Sequence, residues 1–186
     1  MCPHGHFCPE GTDEPNKCPA GKLGQVTKLE RQDQCVDCPE GYYCGEPGLY
    51  NTTTLCNKGF YCPNGSSKAS EKECPMGAYC PEGSPGPVLC LAGTFSNRTQ
   101  LYEESQCTDC YAGYYCDRDG LIYPSGECLQ GYYCPVKSIQ QNSVRCPIGL
   151  HCPTGKIDKF IQFTSQSESK KSFKSNILLL RSNQDK

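Results

Sequence analysis

The 186-residue chain has no tryptophan, two methionines and, before position 160, three phenylalanines: Phe7, Phe60 and Phe95. No long apolar run lies between Cys2 and Cys152. A conventional hydrophobic core is therefore excluded, and a chain without one needs covalent staples to offset its conformational entropy. The longest aliphatic run, Ile177-Leu178-Leu179-Leu180, is far too short to span a bilayer. Charge of one sign is also missing: the net charge is −2, which gives no sign of a nucleic-acid or acidic-membrane partner. Met1 is followed at once by Cys2-Pro3-His4-Gly5, with no basic and apolar lead-in of a signal peptide. A secreted composition without that lead-in leads us to expect a fragment of a longer protein.

What the chain has instead is cysteine, 18 residues of it. That density marks a disulfide scaffold and an oxidising compartment, hence an extracellular or cell-surface location. Three sequons point the same way, Asn51-Thr52-Thr53, Asn64-Gly65-Ser66 and Asn97-Arg98-Thr99, which makes Asn51, Asn64 and Asn97 candidate glycosylation sites.

The cysteines obey one grammar. Cys38-Pro39-Glu40-Gly41-Tyr42-Tyr43-Cys44 states it, and near-copies run Cys2 to Cys8, Cys56 to Cys62, Cys74 to Cys80, Cys110 to Cys116, Cys128 to Cys134 and Cys146 to Cys152. A larger period contains them. Cys18, Cys35, Cys38, Cys44, Cys56, Cys62, Cys74 and Cys80 each recur 72 positions later, from Cys90 to Cys152, and Cys2 and Cys8 stand 72 before Cys74 and Cys80. The organisation this predicts is the end of an earlier repeat in 1–17, super-repeats in 18–89 and 90–155, and a basic tail in 156–186. That tail carries seven basic and three acidic residues with no Cys, Gly or Pro, a composition expected to be disordered.

Cys-Pro-x-Gly fits a type I turn with Pro second and Gly fourth, and repeated reversals bring cysteines within bridging distance. The expected fold is small and disulfide-rich, an elongated tandem array of short irregular β-turn and β-hairpin modules with little regular secondary structure. One spacer per super-repeat breaks the pattern, and it suggests local pairs Cys18–Cys35 and Cys90–Cys107. Each closes a loop of about 18 residues and contributes roughly 3 kcal/mol through loop-closure entropy. The other six cysteines per copy leave 15 pairings open, and Cys2 and Cys8 either pair together or have partners outside the chain. Eight of the twelve tyrosines sit just before a closing cysteine, among them Tyr42/Tyr43, Tyr114/Tyr115 and Tyr132/Tyr133. Alternation in an extended strand turns one ring towards a disulfide or neighbouring unit and the other nearer solvent.

Chemistry is hard to find. Cys35-x-x-Cys38 and Cys107-x-x-Cys110 have the spacing of zinc or thiol-redox sites, but no second pair stands at short range. His4, His6 and His151 are the only histidines. Asp33, Asp37, Asp109, Asp117 and Asp119 lack the alternating spacing of a calcium loop. No catalytic constellation, metal site or cofactor is expected, and the alternative reading is an intracellular zinc-binding cysteine-rich protein.

Cys18-Pro19-Ala20-Gly21-Lys22-Leu23-Gly24 and Cys90-Leu91-Ala92-Gly93-Thr94-Phe95-Ser96 are each followed by a distant Cys-x-x-Cys and then Gly-Tyr-Tyr-Cys. In this, residues 2–155 resemble the ephrin-receptor-like cysteine-rich repeat, one of the growth-factor-receptor and tumour-necrosis-factor-receptor type modules. The resemblance implies tandem modules of a large extracellular or cell-surface protein, a spacer or a surface for an extracellular protein ligand, and no catalytic residues.

Overall fold

The phrase at Cys38 closes on itself. In the computed structural model, which describes residues 1–52, 54–147 and 152–155, Cys38 is bonded to Cys44 with Cα atoms 5.9 Å apart. The same six-residue closure joins Cys2–Cys8, Cys56–Cys62, Cys74–Cys80, Cys110–Cys116, Cys128–Cys134 and Cys146–Cys152. Of the 15 pairings open in each copy, the structure takes the most local one. The expectations for the tail from Lys156 and for His151 lie outside the described residues.

The turn that permits this closure is framed one residue later than expected. Tyr42 N–H donates to the Pro39 carbonyl at 3.2 Å, so Pro39 is the first residue of the turn and Gly41 the third, with φ +82°. A positive φ in the third position is the mark of a type II turn, and glycine adopts it without steric cost. The type I frame is not closed because its donor, the Gly41 N–H, is given instead to Cys62 O in the next unit at 2.8 Å.

After the turn, the aromatic slot forms a two-residue strand that pairs with the two residues before the next opening cysteine. Among the described residues this gives seven antiparallel hairpins. They are β1 (His6–Phe7) with β2 (Asn16–Lys17), β3 (Lys22–Leu23) with β4 (Val36–Asp37), β5 (Phe60–Tyr61) with β6 (Lys72–Glu73), and β7 (Ala78–Tyr79) with β8 (Val88–Leu89). The series continues with β9 (Thr94–Phe95) and β10 (Thr108–Asp109), β11 (Tyr114–Tyr115) and β12 (Gly126–Glu127), and β13 (Tyr132–Tyr133) and β14 (Val144–Arg145). At Cys38 the pairing shrinks to a single bridge, Tyr42 to Leu55.

Hairpins this short are not stable alone. What holds them is a ladder of backbone hydrogen bonds between successive units, here named by their opening cysteines. From the Cys38 unit to the Cys56 unit, Gly41 N–H donates to Cys62 O at 2.8 Å and Cys44 N–H to Ser66 O at 3.0 Å. In return Cys56 N–H donates to Gly41 O at 3.0 Å and Gly65 N–H to Cys38 O at 2.8 Å. The same four bonds recur along the chain, for example Gly113 to Cys134, Cys116 to Ser138, Cys128 to Gly113 and Lys137 to Cys110. They also cross the 89/90 boundary unchanged, through Gly77 to Ser96, Cys80 to Leu101, Cys90 to Gly77 and Gln100 to Cys74. From the Cys2 unit to the Cys90 unit, each first-turn glycine also abuts the second turn of the next unit but one, as Gly41 does on Gly83 and Gly59 on Gln100. This is solenoid construction, in which stability comes from nearest-neighbour interfaces.

The core is accordingly divided into small clusters, each a disulfide with one or two side chains. Leu23, 1 % exposed, packs with Cys38 and Cys44 of the following unit, beside Tyr42 and Leu49. Phe7 packs against Cys18 and Cys35, Tyr61 against Cys74 and Cys80, and Phe95 clusters with Cys110 and Cys116. In each case the residue before a closing position covers the disulfide one unit on.

Candidate functional site

The spacer is itself a unit of the array. Gly21 and Gly93 make the same first turn three residues after Cys18 and Cys90, and β3–β4 and β9–β10 are its hairpins. Gly24 and Ser96 stand where other units have the closing cysteine, so Cys18 bonds Cys35 and Cys90 bonds Cys107, across a separation of 17. A single 3₁₀ turn, Gln32–Gln34 or Glu104–Gln106, leads into the displaced cysteine. The signal was present in the glycine positions, and the missing sixth-position cysteine hid it.

The residues weighed for metal or redox chemistry are dispersed and engaged. Cys35 and Cys38 belong to different disulfides, as do Cys107 and Cys110, and no cysteine among the described residues is free. His4 Nδ1 lies 3.0 Å from Gln25 O, and His6 Nδ1 2.9 Å from His4 O. Asp33 pairs with Arg31, Asp37 with Lys22 and Asp109 with Lys137. Asp117 accepts from Ser125 Oγ, and Asp119 accepts from Ala92 N–H at 2.7 Å. Among the described residues, no three His, Cys, Asp or Glu side chains converge as a metal site would require. Nor is any helix among them long and apolar enough to cross a membrane.

Asn51, Asn64 and Asn97 are all exposed. Asn64 Oδ1 accepts from Glu40 N–H at 3.0 Å, and that bond uses the amide oxygen while glycosylation uses the nitrogen. Ser66, the third residue of that sequon, is 2 % exposed, and its hydroxyl donates to Pro63 O at 2.6 Å. In Asn97-Arg98-Thr99 the threonine hydroxyl donates to Glu73 at 2.8 Å.

The tyrosines of the aromatic slot are half-buried except Tyr133, which is exposed. They pack within the ladder and do not form a continuous exposed row.

Superposing the two copies by the 72-residue offset reveals a surface that cysteine spacing does not. Tyr111, Val136 and Ile139 are 55 %, 54 % and 50 % exposed, where the first copy has Pro39, Asn64 and Ser67. Tyr111 and Val136 line a shallow groove of about 590 Å³ together with Ser105, Thr108, Asp109 and Ala112. Where Asn64 in the first copy bonds Glu40 N–H, the second copy sets Val136 beside Ala112. Tyr111 also stacks edge-on against Phe95 with ring centroids 5.2 Å apart.

The chain matches no known family model, and no curated protein is significantly similar to it. The chain is a cysteine-rich repeat protein with nine disulfides and small β-hairpin modules, of a kind that belongs to an oxidising compartment.

Proposed function

We propose that the chain is a non-enzymatic, glycosylated extracellular segment, related to the ephrin-receptor-like repeats, that serves as a spacer or protein-binding part of a larger cell-surface receptor or matrix-like protein. The observation that carries this reading is the amide ladder. It fixes each disulfide-stapled unit to the next, and it engages in architecture the cysteines that a metal or redox site would need. A scaffold of this kind sets a distance and displays side chains along it. The three exposed sequon asparagines suit such an outward-facing role.

The experiment is to express the full chain behind an added secretion signal in a eukaryotic cell. The expected product is secreted, keeps its mass on alkylation before reduction, and loses mass from Asn51, Asn64 and Asn97 on deglycosylation. Free thiols and stoichiometric zinc in the purified protein would overturn the reading in favour of the intracellular zinc alternative. Titrating the labelled chain on cell surfaces then separates the two roles: saturable binding identifies a protein-binding segment, and its absence a spacer.

A further inference from the structure

The loop after Cys44 encloses a groove of about 220 Å³ that has a sequon asparagine in its wall. Tyr43, Gly45, Glu46, Leu49, Asn51 and Thr54 are among the residues that line it. Its frame is held from both sides. Tyr43 N–H donates to Thr54 O at 3.2 Å and Thr54 Oγ1 donates to Tyr43 O at 3.0 Å, which ties the two arms of the loop beside the tyrosine. Leu49 packs on the cluster of Leu23, Cys38 and Cys44, and its carbonyl accepts from Gly24 N–H at 2.9 Å.

Glycine at position 45 keeps the ring open. A Cβ there would lie 3.5 Å from Tyr43 Cε2 and 3.7 Å from Tyr43 Cδ2, so a larger side chain would rest against the ring. One small concavity thus combines an aromatic ring, an aliphatic side chain and a carboxylate. Mostly apolar walls with a few placed polar groups are what a small ligand requires. A pyranose suits this set. Its C–H face lies flat on an aromatic ring, and its hydroxyls donate to a carboxylate such as that of Glu46. An N-acetyl methyl adds an apolar group to set against Leu49. The groove is smaller than the roughly 300–1,000 Å³ of sites for drug-sized ligands, which fits a single sugar ring.

The occupant is tethered at the groove itself. Asn51 opens the sequon Asn51-Thr52-Thr53, and its Oδ1 accepts from Thr52 N–H at 2.9 Å, which leaves the amide nitrogen for a sugar. In glycosylation that nitrogen forms a bond to C1 of N-acetylglucosamine, the bond from C1 to a lipid-linked diphosphate donor breaks, and the amide gives up one proton. The first sugar therefore starts in the groove wall, with the high effective concentration of a tethered ligand.

We propose, on the reading of the chain as glycosylated, that the first N-acetylglucosamine on Asn51 folds back into this groove and covers the Tyr43 ring beside Gly45. The sugar then serves as a packing group of the Cys38 unit, where strand pairing is a single bridge from Tyr42 to Leu55.

The test uses the full chain secreted from cells that add only high-mannose glycans. Endoglycosidase H trims each glycan to one N-acetylglucosamine, and the variant N51Q supplies the bare groove. In the trimmed wild type, nuclear Overhauser contacts are expected between the Asn51 sugar and the Tyr43 ring. Exchange of the Tyr43 amide should be roughly two- to tenfold slower than in N51Q. Gly45→Val sets a side chain against the ring at ordinary van der Waals distance, so the fold is kept and the sugar displaced. In trimmed G45V the contacts should be lost while the mass still shows the sugar, and adding N51Q should no longer change Tyr43 exchange. Folding of both variants is checked by non-reduced mass and by amide protection of Gly41 and Cys44. A modified Asn51 whose sugar makes no contact with Tyr43 overturns this proposal alone, as do contacts that persist in G45V. A secreted chain with Asn51 bare overturns the glycosylated reading at that site and the proposal with it.

Discussion

A Cβ placed on Gly41 would stand 2.5 Å from the carbonyl oxygen of Gly83, two units further on. Gly41 also holds φ +82°, so two constraints meet at one atom. Gly11 has φ +83° with nothing within 4 Å of its notional Cβ, and it isolates the conformational constraint from the contact. Gly11→Ala is expected to cost roughly 1–2 kcal/mol. Gly41→Ala should cost roughly 1–3 kcal/mol more, because the second turn of the Cys74 unit must move. Because repeat arrays need not unfold in a single step, the measurement is native-state hydrogen exchange at Cys62, Gly65 and Cys80. Equal losses for the two variants would remove the next-but-one contact from the account.

The converse is expected at Lys28. It is exposed, it has φ 65° at the ladder position that Gly48, Gly65, Gly83 and Gly120 hold in other units and that Gln100 and Lys137 share, and its N–H donates to Cys2 O at 3.2 Å. Lys28→Gly removes left-handed strain while keeping that hydrogen bond. Stability should rise by up to about 1 kcal/mol, read as greater protection of the Lys28 and Cys8 amides.

The two kinds of disulfide should differ when each is replaced by an alanine pair. Cys18–Cys35 spans 17 residues, and its loss costs roughly 3 kcal/mol by loop-closure entropy. Cys38–Cys44 spans six, about 2 kcal/mol on the same scale, but both sulfurs are fully buried against Leu23. C38A/C44A is therefore expected to lose packing as well, and to expose the Cys18 and Cys38 units together to exchange. A C38A/C44A variant that leaves Leu23 amide protection unchanged would contradict the cluster.

Ser66 and Ser84 test how the second turn is held. Both hydroxyls donate to the proline carbonyl three residues back, at 2.6 and 2.7 Å. Pro81 O also accepts from Ser84 N–H at 3.1 Å, whereas the hydroxyl is the bond seen at Pro63 O. Ser66→Ala should cost about 1 kcal/mol and Ser84→Ala less, measured by the denaturant midpoint of local exchange.

The ion pairs Lys22–Asp37 at 2.6 Å and Lys137–Asp109 at 3.2 Å lie at the surface, where such pairs are worth about 0–1 kcal/mol. Lys22→Met should therefore change stability by under about 1 kcal/mol, and raising the salt should change the wild type little. A larger loss would mean that the pair fixes the β3–β4 register.

Much of this architecture can be read from residue order. Eighteen cysteines with a 72-residue offset, proline after each of many cysteines and glycine three residues on dictate stapled turns and short hairpins. They do so because turn chemistry and redox chemistry are local properties of a few neighbouring residues. Apart from the spacer pairs Cys18–Cys35 and Cys90–Cys107, the tertiary structure decided which sulfurs meet, since bridging depends on Cα separations near 5.9 Å that the turn frame sets. It also showed the Cys18 and Cys90 spacers to be full units, because the identity of a unit lies in its ladder of amide bonds and one cysteine can move without breaking it. The groove shared by Tyr111 and Val136 was decided there as well, because the two residues belong to different units and only the stacking of those units brings them together.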